Sequence, residues 1–213
     1  GTIRVLVDPI GGAMSADLLE QLCQARAARH PTACVADLAT GSRSLTTSGH
    51  ADRFRLDRSG FDPDSDRFVA IHNPPLRMVV VGAVHIAQAL VPMARLSGYD
   101  TMVIDPRDAF ASPERFPDTA LSHDWPDDAL AAHGLDSRSA LVLLTHDPKL
   151  DDPALMVALR SNCFYIGALG STRTHAARMA RMRDAGFGEA DLARIHGPVG
   201  LNLGAANPAE IAV

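Results

Sequence analysis

The 213-residue chain contains one lysine, Lys149, three cysteines and only 5% aromatic residues. With lysine nearly absent, the positive charge falls to arginine and the formal net charge is -5, so the chain lacks the basic footprint that nonspecific nucleic-acid binding requires. Cys23, Cys34 and Cys163 are scattered. They form neither a disulfide framework nor a C-x-x-C metal or redox pair, which points to a cytoplasmic setting. No apolar run approaches the roughly 18 residues that span a bilayer, and no signal peptide opens the chain, so no membrane association is expected. A composition of 46% hydrophobic and 21% charged residues is that of an ordinary globular protein, long enough for a sizeable core in one or two domains. Gly1 opens inside a strand-like stretch and Val213 ends the chain abruptly, so the sequence reads as a piece of a longer protein.

Pro74-Pro75 marks the main division, because proline cannot donate to a β-ladder and biases its predecessor away from helix. Residues 1–73 read as a smaller α/β region, itself truncated, and residues 74–213 as a Rossmann-like domain. In the first, residues 2–7 alternate as a half-buried strand. Ser15 is placed to cap a helix with Leu18, Leu19, Leu22 and Ala25 on one face. Residues 32–38 and 53–56 carry strand patterning between turn residues. In the second, strands are predicted over 78–81, 101–104, near 120–121, 140–144 and 163–166, with helices over 84–96, 127–132, 153–160 and 171–184. Continuous apolar strands separated by helices indicate a parallel sheet covered on both faces, with ligands at the carboxyl ends of the strands where their order reverses.

The opening of that second region, Met78-Val79-Val80-Val81-Gly82-Ala83-Val84-His85-Ile86-Ala87, is a strand, a glycine turn and a helix start in the G-x-G-x-x-A pattern of dinucleotide folds. Val84 stands at the second glycine position, where a side chain intrudes on the space of a pyrophosphate. Asp105, 23 residues after Gly82, lies near the distance at which an acidic residue meets a ribose hydroxyl; the same residue before Pro106 also suits a turn initiator. Arg107 suits bidentate contact with a phosphate or carboxylate. Thr145 and His146, followed by Asp147-Pro148-Lys149, read either as crevice lining or as a polar turn. Gly167, Gly170, Ser171 and Arg173 suit an anion seat, with converging amides at a helix N-terminus and a guanidinium close by; an ordinary glycine turn with a serine cap fits the same spacing. His85 sits in a first helical turn with a near-neutral intrinsic pKa. Arg178, Arg181 and Arg183 read as a solvated helix face, and Cys163 as packing.

Gly82 to Ala87, Val103-Ile104-Asp105-Pro106-Arg107, Thr145-His146-Asp147, Tyr165 to Ser171, Gly197-Pro198-Val199-Gly200-Leu201-Asn202-Leu203-Gly204 and Pro208-Ala209-Glu210-Ile211-Ala212 together resemble the XdhC/CoxI family, accessory proteins of molybdenum hydroxylases such as xanthine dehydrogenase and carbon monoxide dehydrogenase. The resemblance implies a carrier, not a redox catalyst, with molybdopterin (the molybdenum cofactor) as cargo. Such a carrier protects the cofactor while a sulfido ligand is installed and delivers it to an apo molybdenum hydroxylase. A cysteine desulfurase-type sulfur donor and a homodimer are implied with it, and so is an upstream Cys-Gly-Gly stretch of which Gly1 is the remnant. Val84 departs from the family's usual glycine. Two alternatives stay open: an NAD(P)-dependent oxidoreductase, and a Rossmann module used only for docking or dimerisation.

Overall fold

The computed structural model describes residues 1, 5–63 and 65–213, and the chain divides into Gly1–Pro74 and Pro75–Val213. In the first unit the Ser15 hydroxyl accepts from the Leu18 backbone N–H at 3.1 Å and starts α1 (Ala16–Ala27), which buries Leu22. An antiparallel sheet follows, ordered β2-β1-β4-β3, from β1 (Thr32–Asp37), β2 (Arg43–Thr46), β3 (Gly60–Phe61) and β4 (Arg67–His72). Residues 53–56, expected as a strand, fall instead in and just after the helix α2 (Ala51–Arg55). Four residues of alternation cannot outweigh local bonding: the Phe54 and Leu56 amides donate to the His50 and Asp52 carbonyls. Between β2 on one side and β4 on the other, β1 pairs with β4 in register from Thr32 opposite His72 to Asp37 opposite Arg67. Of the strand expected over 2–7, residues 2–4 lie outside the described residues, and Val5, Leu6 and Val7 belong to no strand. Arg43 instead fixes that segment, donating to both Asp8 carboxylate oxygens at 2.7 and 2.6 Å.

The second unit alternates strand and helix. Its elements are β5 (Arg77–Val81), α3 (His85–Leu96), β6 (Asp100–Ile104), β7 (Ala120–Ser122), α4 (Pro126–His133), β8 (Ser139–Leu143), α5 (Pro148–Leu159), β9 (Tyr165–Ala168), α6 (Thr172–Asp184), α7 (Glu189–Leu192), β10 (Ile195–His196) and α8 (Pro208–Ala212). The six strands pair in parallel in the order β10-β9-β8-β5-β6-β7. The chain steps outward from β5 to β7, then returns to the other side of β5, so the order reverses between β5 and β8. Side chains alternate across the strands. Val79, Val81, Leu141, Leu143 and Ile166 pack with Leu130, Leu155, Ala158 and Met182 of α4 to α6, while Val80, Val103 and Val142 pack with Ala87 and Val91 of α3. This is the Rossmann-like parallel sheet, helices on both faces, that the apolar runs predict. α5 starts five residues before the predicted 153, because Pro148 occupies its first turn and the Asp147 carboxylate accepts from the Lys149 amide, the arrangement in which proline begins a helix. Among the described residues no helix is long and apolar enough to cross a membrane.

Candidate functional site

The reversal point sets three turns side by side. Gly82, after β5, has φ +107°, and a Cβ there would lie 2.6 Å from Thr145 Cγ2 and 3.1 Å from the Thr145 nitrogen. Glycine is therefore demanded by the passage of the β8–α5 turn as well as by its own conformation. Val84, in extended conformation at φ -86°, is the N-cap of α3 and offers no side-chain cap. It is half-buried against the apolar layer under α3. His85 follows, exposed.

Asp105, beyond β6, is fully buried. Its Oδ2 accepts from the Ala83 amide at 2.9 Å and from Arg107 Nη2 at 2.7 Å, while its Oδ1 accepts from the Arg107 amide and Nε at 3.1 and 2.8 Å. Burial pushes this carboxyl up, but the Arg107 guanidinium and the two amides hold it below its ordinary value. Of the two readings of Asp105, the bonds follow the turn initiator: both oxygens are spent on the glycine turn and on Arg107. The Arg107 side chain is 44% exposed, with its guanidinium 4.0 Å over the Phe110 ring. Its pKa is raised, first by hydrogen bonding to Asp105 against the effect of burial, then by the charges of Asp105 and of Asp147.

At the end of β8, Thr145 is buried and His146 is exposed at φ +53°, a left-handed conformation that costs a residue with a Cβ about 1 kcal/mol or more. Thr145 Oγ1 donates to Asp151 Oδ1. Arg178 Nη2 donates to Asp151 Oδ2 at 3.2 Å and to the Leu169 carbonyl at 2.8 Å. The solvated arginine face expected on α6 is therefore corrected at Arg178, while Arg183 does stand exposed. The Arg178 and Asp151 side chains are each 1% exposed, Arg181 pairs with Asp152 and Arg183 with Glu189. The chain could have announced this, since His175, Arg178 and Met182 follow the 3-then-4 spacing of one helical face.

Within β9, Gly167 is a packing glycine: a Cβ there would meet Val199 Cγ2 at 2.7 Å and the Tyr165 ring at 2.8 Å. Gly170 turns at φ +145°. The Ser171 hydroxyl accepts from the Thr174 amide at 3.1 Å and lies 3.0 Å from its hydroxyl, so it caps α6. Arg173 is exposed. Ser171→Ala is expected to cost about 1 kcal/mol, a fall of about 2–4 °C in thermal midpoint readable by calorimetry. Gly82, Val84, His85, Asp105, Arg107, Thr145 and His146 thus gather at the ends of β5, β6 and β8. Gly167 lies within β9, while Gly170, Ser171 and Arg173 stand at its end, one strand beyond β8.

A sequence model of the XdhC Rossmann domain matches residues 78–213. The chain is 34% identical over 147 residues to the uncharacterized protein YqeB of Escherichia coli (strain K12), covering 68% of this chain and 27% of that protein. It is 31% identical over 128 residues to the molybdenum cofactor insertion chaperone PaoD of the same organism, covering 60% and 34%. To a probable xanthine dehydrogenase subunit of Bacillus subtilis (strain 168) it is 30% identical over 154 residues, covering 72% and 44%. The chain thus spans less than half the length of each of these relatives. A solved structure titled as a xanthine dehydrogenase (BH1974) from Bacillus halodurans shares the fold, with a TM-score of 0.71 at 24% identity over 93% of this chain and 64% of that one. With its Rossmann unit matched from residue 78 to residue 213, more than half its length, the chain belongs to the XdhC family.

Proposed function

We propose that this chain binds molybdenum cofactor as cargo, shields it while its sulfido ligand is installed by a cysteine desulfurase-type donor, and passes it to an apo hydroxylase of the xanthine dehydrogenase type. The observation that carries this is the exchange of charge at the end of β6. Where an NAD site offers a carboxylate to ribose, Asp105 is buried and bonded, and what is left half-exposed at this strand end is the cation Arg107 that it holds. Molybdopterin joins a phosphate to a polar pterin, which suits a guanidinium fixed in place and a helix N-terminus. In this reading Gly82, Val84, His85, Arg107, Thr145 and His146 line the pterin side, and Gly170, Ser171 and Arg173 seat the phosphate at the start of α6. The relationship to a protein named as a molybdenum cofactor insertion chaperone supports it.

Anaerobic purification followed by oxidation should release fluorescent pterin from the protein. Loss of the charge-assisted contact in Arg107→Ala should lower the retained pterin at least about tenfold; preparations free of pterin would sink the reading. The same Arg107 favours one alternative, an NADP-dependent oxidoreductase, since an arginine after the second strand accommodates a 2′-phosphate. Calorimetric titration with NADPH separates the two, and binding no tighter than about millimolar removes the alternative.

A further inference from the structure

We propose that Arg178 is a positioning residue of the crevice, setting from inside the protein the turns that the cargo would meet. The inference rests on the cargo reading above for its purpose, though not for its geometry. One nitrogen, Nη2, holds the Leu169 carbonyl at 2.8 Å, in the turn between β9 and α6, and Asp151 at 3.2 Å, in the first turns of α5. Asp151 in turn takes the Thr145 hydroxyl, and Thr145 Cγ2 stands where a side chain on Gly82 would be. A single buried guanidinium thereby joins the turns after β5, β8 and β9.

Stability does not account for this arrangement. The Arg178 Nε and Nη1 are buried and meet no acceptor among the described residues, and a buried pair so incompletely bonded is commonly replaced by apolar groups without loss. The gain is register: Leu169 cannot shift relative to Thr145 unless the Arg178–Asp151 link opens. His175, one turn earlier on the same helix, packs against Gly197, so α6 is held from that side as well.

The test combines amide hydrogen exchange with pterin retention. Thr145→Val keeps a methyl group against Gly82 and puts a second methyl in place of the hydroxyl, which also accepts from the Asp147 amide at 3.2 Å; the double variant Arg178→Met/Asp151→Asn removes the charged pair together. Both should raise exchange at least tenfold in residues 169–174, and the double variant also in 145–151, with pterin retention falling at least fivefold. The remote effect decides the matter, because a residue of the β8 turn with a merely local role leaves the β9 turn untouched. Exchange at 169–174 within twofold of the parent protein in a folded Thr145→Val variant overturns the proposal, as does a folded double variant with parental exchange in both turns. If the parent protein retains no pterin, the cargo reading fails while the exchange results still decide the role of Arg178.

Discussion

Gly82→Ala is expected to destabilise the Rossmann unit by about 3 kcal/mol, from backbone strain and crowding together, and to lower its thermal midpoint by about 6–12 °C. The backbone there lies at φ +107°, and the added Cβ would meet Thr145 Cγ2 at 2.6 Å, the Thr145 nitrogen at 3.1 Å and the Leu144 carbonyl carbon at 3.3 Å. The methyl can move aside only by turning the Thr145 hydroxyl away from Asp151, and the two backbone atoms are held in place because Leu144 donates its amide to the Val81 carbonyl at 2.8 Å. Gly98 supplies the control. It has φ +85° with nothing within 4 Å of a built Cβ, so Gly98→Ala carries strain without collision and is expected to cost about 1 kcal/mol. Differential scanning calorimetry of the two variants separates the contributions. Equal shifts would show that the crowding between the β5 and β8 turns has no energetic weight.

That comparison also shows what the chain discloses of its fold. The parallel sheet is legible because Val79-Val80-Val81 and Leu141 to Leu144 are apolar on both faces, which only a strand covered on two sides tolerates. The antiparallel sheet is less so. β4 reads Arg67-Phe68-Val69-Ala70-Ile71-His72, its pattern competes with the shorter alternation at 53–56, and only six paired residues of β1 decide between them. β10 has two residues, too few to carry a period. The candidate site divides likewise. Gly82 and the cap at Ser171 follow from local chemistry, whereas the spacing of Asp105 is the same whether its carboxylate reaches a ribose or the Ala83 amide. Arg178 is legible only through its spacing with His175 and Met182: arginine on a polar helix normally signals solvent, and the acid that draws it inward sits 27 residues earlier, on α5.

Arg178→Met by itself is expected to cost about 3–5 kcal/mol at neutral pH, because it leaves Asp151 buried without its counter-charge. The pH dependence of this loss identifies its origin. Burial already pushes the Asp151 carboxyl up from its ordinary value; the Thr145 hydroxyl and Arg178 pull it down, and the neighbouring charge of Asp152 raises it. Without Arg178 it moves further up. A carboxyl whose pKa is higher in the folded than in the unfolded state is ionised at a cost above that value, so the folded protein regains stability as the pH falls through it. Carboxylates held low, such as Asp8 and Asp105, work the other way, losing their contribution as they protonate, but they are common to both proteins and cancel in the difference. Urea midpoints taken from about pH 7.5 down to about pH 5 should therefore show the gap between variant and parent narrowing as acid is added. In Arg178→Met/Asp151→Asn the gap should be small throughout and flat. A gap that holds constant for the single variant would mean that the loss comes from the packing of the guanidinium, and that the charge on Asp151 has no part in it.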